Sequence, residues 1–107
     1  MTAVTNGTGV RLGPAADLVP GEGRTYAVGN AQVAVFRMTD GTLRATDAVC
    51  PHRGGPLADG QFDLGQVVCP LHQYAFRFAD GGCAEAGMDA VRVYRVAEVE
   101  ENVVVWV

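Results

Sequence analysis

Two short phrases hold both histidines of this 107-residue chain and two of its three cysteines. The first, "CPHRGGPL", begins at Cys50; the second, "CPLH", begins at Cys69. The pattern is Cys50-x-His52 followed by Cys69-x-x-His72, so each phrase offers one thiolate and one imidazole. That donor set suits borderline or soft metals, which leaves zinc and an iron–sulfur centre. Calcium and magnesium want oxygen ligands and are excluded by it. A buried Cys or a hydrogen-bonded His is common singly, but coincidence explains poorly why both histidines follow Cys-Pro pairs.

The two metals make different demands. Zinc sites of two Cys and two His commonly take both cysteines from one knuckle and both histidines from another, often on a helix. Here the types are mixed within each phrase, and no helical stretch accompanies them. In an iron–sulfur centre of mixed ligation, one iron takes two Cys and the other two His. Two loops that each supply one Cys and one His can grip both irons.

The elements that must carry these loops are short strands. "RTYAV" and "AQVAVFR" flank Gly29-Asn30, a hairpin signal. Asp40-Gly41 and Asp80-Gly81-Gly82 mark further turns, and "LRATDAV", "QVVC", "YAFRF", "VRVYRV" and "NVVVWV" read as strands. A period near two shows where Val33 and Val35 alternate with Ala34 and Phe36, and Val91 and Val93 with Arg92 and Tyr94. Only "PAADLV" could form a helical turn, and the polar "TAVTNGTG" near the start is expected to fray. The expectation is one antiparallel β-domain, a sandwich or a partly open barrel, over residues 1–107. Its longest non-strand stretch runs from about Pro51 to Asp63 and contains the first phrase.

Composition narrows the function classes. A chain this short buries only about two-thirds of the surface its unfolded form exposes, so a cofactor tying loops together matters for stability. The net charge of −4 argues against nucleic acid or an anionic membrane as the main partner. The first twenty residues contain no apolar run suited to an export signal, and nothing approaches a membrane span. The expected compartment is the cytoplasm, where thiols stay reduced and Cys near His reads as metal binding. Cys83, outside both phrases, is expected to be buried and structural. No residue set suggests a nucleophile, a substrate pocket or a phosphate loop, so the chain by itself is expected to turn over nothing.

"CPHRGGPL" with "CPLHQYAF" resembles the Rieske [2Fe-2S] family, and "VAVFRMTDGTLRATDAV" and "DGGC" extend the likeness over roughly Val33 to Cys83. The resemblance implies an all-β fold, a Rieske-type antiparallel β-sandwich with a small cluster-binding subdomain of two loops at about 47–80. It implies one [2Fe-2S] cluster per chain, with Cys50 and Cys69 on one iron and His52 and His72 on the other. Pro51 and Pro70 restrict the backbone after each Cys. Amides around Arg53, Gly54, Gln73 and Tyr74 can point at sulfur, Gly54 and Gly55 permit close approach, and Pro56-Leu57 either caps the cluster or packs in the core. Arg53 and Gln73 are candidate docking contacts.

Members of the family in cytochrome bc complexes carry a disulfide clamp between the loops, and its positions are Gly55 and Leu71 here. Their Ser and Tyr hydroxyls are replaced by Tyr74 and Phe76. Fewer hydrogen bonds to the sulfurs lower the potential. The resemblance therefore implies a soluble ferredoxin passing single electrons from a flavin reductase to an oxygenase. The alternative is the small subunit of an assimilatory NAD(P)H nitrite reductase, bound to its large subunit. A zinc-binding structural module is a third class. "HQY" stands where "HGW" is usual, and "AEAGMDAV" lacks the usual prolines.

Overall fold

The run Val33-Ala34-Val35-Phe36 is fully buried on both of its faces, and the architecture explains why. A computed structural model describes residues 9–51, 55–71, 74–83 and 89–106. The strands are β1 (Gly9–Pro14), β2 (Gly23–Val28), β3 (Ala31–Arg37), β4 (Leu43–Asp47), β5 (Gln66–Val68), β6 (Ala75–Arg77), β7 (Val93–Val99) and β8 (Asn102–Trp106). Short 3-10 turns lie at Ala15–Asp17 and Leu57–Asp59. Six strands form one antiparallel sheet in the order β1-β8-β7-β4-β3-β2, and β5 and β6 form a separate hairpin. β1 and β2, the sheet's two edges, come into contact, so it curls toward a barrel.

Two cores follow. Inside the curl, Val33 and Val35 pack with Ala45, Val103, Val105, Leu18 and Val28. On the outer side, Ala34 and Phe36 pack against Leu57, Val67, Phe76, Phe78 and the two cysteines Cys50 and Cys69. Phe36 meets Phe62 and Phe78 with ring centroids 5.0 and 5.2 Å apart, geometry that adds to area burial. β3 is therefore the wall shared by both cores, which is why its sequence is apolar without interruption.

The all-β antiparallel expectation holds in detail. Gly29-Asn30 turns β2 into β3, with Gly29 at φ 60, and Gly41 (φ 92) serves the β3–β4 turn. "PAADLV" contributes only the first 3-10 turn. β1 was not legible: Gly9, Gly13 and Pro14 dilute its pattern, and it survives as an edge strand that pairs with β8 through a register shift between Arg11 and Gly13. The expected fraying of "TAVTNGTG" falls outside the described residues except for Gly9. "VRVYRV" becomes a strand only from Val93. Val91 lies under the small hairpin unit at 4% exposure while Val93 is 36% exposed, so the cover ends between them.

The β4–β7 junction joins the β2–β3–β4 meander to the chain's last hairpin, with Ala45 opposite Tyr94 and Thr46 opposite Val93. Asp47 reinforces it. Its backbone N–H donates to the Arg92 carbonyl (2.9 Å), and its carboxylate accepts from the Arg92 N–H (2.9 Å) and the Tyr94 hydroxyl (2.6 Å). Burial, and then the bond to Asp47, push the Tyr94 phenol up to about 12. A raised phenol pKa means stability that is present below the unfolded value near 10 and lost as pH rises through the folded value. Tyr94→Phe is expected to cost about 0.5–1.5 kcal/mol at neutral pH and to flatten the fall in stability above about pH 10. Denaturant titrations across that range check it; Tyr26, whose phenol burial also raises, keeps a residual slope.

Candidate metal centre

Beyond Asp47 the chain leaves the sheet but stays anchored. The Ala48 N–H donates to the Gln32 carbonyl on β3, and the Leu57 N–H returns to the Ala48 carbonyl. Val49 and Pro56 form a bridge one step further out. The Cys50 N–H then donates to the Gly55 carbonyl at 2.9 Å, closing the span between them. The second loop is built the same way: the Val68 N–H donates to the Gln61 carbonyl, and the Cys69 N–H to the Tyr74 carbonyl at 2.8 Å. Both closures link a cysteine to the fifth residue after it. His52 and His72 belong to the spans so closed, and with Arg53, Gly54 and Gln73 they lie outside the described residues.

β5 and β6 hold the second loop at its roots, with Val68 opposite Ala75. Asp63 starts β5: its carboxylate accepts from the Gly65 and Gln66 N–H groups at 2.8 and 2.9 Å, which holds its carboxyl below the usual value. Asp80 does the same for the turn after β6, accepting first from the Gly82 N–H and then from Arg77. That turn delivers Cys83 opposite Phe76. Cys83 is half-buried rather than buried, but it packs against the same outer core, as a structural residue would.

The two loops meet at the cysteines. Cys50 and Cys69 are 1% and 0% exposed, and no cysteine of the chain is in a disulfide. Gly55 is buried, and a Cβ on it would stand 2.8 Å from Cys69 Sγ and 3.1 Å from Leu71 Cγ. The lack of space for a side chain favours glycine here. Leu57 is completely buried in the core that holds Cys50 and Cys69, while Pro56 is exposed. Outside this dry base, Val49 and Leu71, the residues beside Cys50 and Pro70, are 46% and 57% exposed. Two thiols from separate loops, buried in one cluster and with room kept by a glycine, fit a metal group held from both sides.

The match to known proteins is direct. Residues 8–105 match the family model of the Rieske [2Fe-2S] domain. The chain belongs to this family. The family binds one [2Fe-2S] cluster, which sets aside the zinc reading. The Rieske domain here superposes on the ferredoxin of carbazole 1,9a-dioxygenase from Nocardioides aromaticivorans with a TM-score of 0.81 at 28% identity, covering 92% of this chain and 97% of that one. It superposes equally on a structure assigned as the small subunit of an NADH-dependent nitrite reductase from Mycobacterium tuberculosis, with TM-score 0.82, 27% identity and 94% of each chain covered. In sequence it is 33% identical over 102 residues to the probable 3-ketosteroid-9-alpha-monooxygenase oxygenase component of Rhodococcus rhodochrous, covering 89% of this chain. The chain spans about a quarter of the length of that curated relative (25%).

The donor types, and the burial of Cys50 and Cys69 in one core, suit the family's cluster. The motif spacing made Cys50 and Cys69 legible; the paired backbone closures and the Gly55–Cys69 contact were not, because they involve backbone and empty space. Gly55→Ala is expected to force Cys69 or Leu71 to shift, costing about 1–3 kcal/mol as overpacking does. Iron and acid-labile sulfide per chain should fall; full loading with unchanged melting would contradict the close contact.

Proposed function

We propose that this Rieske domain is a soluble one-electron carrier, a ferredoxin component serving an oxygenase. The observation that carries the reading is the pair of buried cysteines with exposed apolar residues close to them along the chain, Val49 before Cys50 and Leu71 two residues after Cys69. Cys50 and Cys69 would hold one iron and His52 and His72 the other, by their places in the motif. When bound, a [2Fe-2S] cluster supplies a one-electron redox couple. The chain's own part is to keep water from the thiolate side through Phe76, Leu57 and Val67, all buried. Its apolar rim at Val49 and Leu71 offers a partner a surface that sheds water easily on contact.

Support for a ferredoxin comes from the near-complete overlap with the carbazole dioxygenase ferredoxin and from the sequence relationship to oxygenase components. The equal overlap with the nitrite reductase small subunit sustains the second reading, a fixed subunit. Among the described residues no helix is long and apolar enough to cross a membrane. Gly55 and Leu71 face one another where a clamp would sit and cannot form one, and Phe76 brings no hydroxyl. The missing hydroxyl supports a potential toward the lower part of the Rieske range of roughly −150 to +300 mV, through fewer hydrogen bonds to the sulfurs.

Purified protein should be red-brown, with the EPR signal of a reduced mixed-ligand cluster; a colourless zinc protein without labile sulfide would sink the reading. His72→Ala should lose the visible absorption, whereas Cys83→Ala should retain it, and the reverse result would reassign the ligands. Rapid reduction by a small flavin reductase with onward transfer to an oxygenase supports the ferredoxin. Copurification with a large sirohaem protein supports the nitrite reductase subunit.

A further inference from the structure

The outer face of the six-stranded sheet is covered over β3, where the hairpin unit packs. Among the described residues nothing covers it over β1, β8 and β7. Val10, Leu12, Tyr94, Val96, Val103 and Val105 pack inside the curl. Strand alternation therefore turns Arg11, Arg95, Ala97, Val99, Val104 and Trp106 outward. Trp106 lies over Gly9, whose added Cβ would come within 2.9 Å of the indole Nε1. The Arg95 guanidinium stands 4.6 Å from the centre of the Trp106 ring, a cation–π distance.

The register that pairs Ala45 with Tyr94 sets Arg44 beside Arg95. Both line a groove of about 340 Å³ walled by Phe78, Ala79 and Val93. Like charges side by side on neighbouring strands repel. Among the described residues, Arg11, Arg44 and Arg95 take part in no ion pair. No outward position of β1, β4, β7 or β8 is acidic, although the chain as a whole carries −4. Val93 and Val99 add exposed apolar area, at 36% and 43% exposure.

We propose that this face docks an acidic, partly apolar surface of a partner protein. Arg11, Arg44 and Arg95 receive its carboxylates, and Trp106, Val93 and Val99 receive its apolar part. Nucleic acid and anionic membranes fit poorly, because only three basic side chains stand on the outward positions of these strands, fewer than the roughly six to ten phosphate contacts typical of strong nucleic-acid binding. A second copy fits poorly too, since a two-fold contact would set the three arginines against themselves. Val49 and Leu71 belong to the loops after β4 and β5 and not to the strands of this face. The proposal goes beyond the electron-carrier reading and does not depend on which redox partner that reading names.

Trp106 is the only tryptophan and reports on the face by its emission. Cluster-loaded full-length protein titrated at low salt with poly-L-glutamate, and with a glutamate–tyrosine copolymer excited selectively for Trp, should show saturable shifts, tighter with the copolymer. Affinity should fall about tenfold in Arg44→Glu and less than about twofold in Arg24→Glu, the same charge change on β2. It should also weaken about tenfold between low salt and 0.2 M salt. Equal effects of the two variants would overturn the proposal, as would equally tight binding to heparin or anionic vesicles. Sedimentation showing a dimer abolished by Arg44→Glu would also overturn it, in favour of self-association. Visible absorption recorded in the same samples confirms folding, and loss of the carrier reading would show there without altering the docking result.

Discussion

Phe36 ties the cysteine loops to the sheet. Its ring enters from the outer side of β3 and is gripped by Phe62 and Phe78, from the segments on either side of the β5–β6 hairpin. Burying a side chain of this kind is worth about 1.5–3 kcal/mol, and here it is spent on joining two units that share few hydrogen bonds. β3 supplies the inner core with Val33 and Val35 and the outer core with Ala34 and Phe36. Movement of this one strand would disturb the barrel interior and the base of the metal centre together.

The centre itself uses two devices with different physics. Backbone hydrogen bonds close each loop on its own cysteine, at 2.9 and 2.8 Å. Steric room, kept by the missing side chain of Gly55, lets one loop lie against the other's sulfur. The first device is indifferent to side-chain identity. The second tolerates only glycine. A disulfide clamp would have joined the same two places covalently; here the contact of Gly55 with Leu71 is held by packing alone.

How far the sequence could be read follows from the same distinction. Cys50-x-His52 and Cys69-x-x-His72 announce metal chemistry because rare residue types recur at short spacing. The β2–β3 hairpin was legible from Gly29-Asn30, where turn chemistry is local. β1 was not, since two glycines and a proline hide a strand that only pairing with β8 makes regular. The Asp47–Tyr94 bond joins residues distant in sequence and leaves no local trace. Nor did the alternation around Val93 reveal that the cover over the sheet ends there, because cover is a property of a different unit.

The paired loop closures separate anchorage from tuning. Since the Cys50 and Cys69 amides are already committed to Gly55 and Tyr74, hydrogen bonds that adjust the sulfurs' electron density must come from other donors. Residues between the closing pairs other than His52 and His72 can thus vary the redox potential while the backbone closures stay fixed. A fold with this division is well suited to divergence: one scaffold can supply carriers of many potentials without being rebuilt.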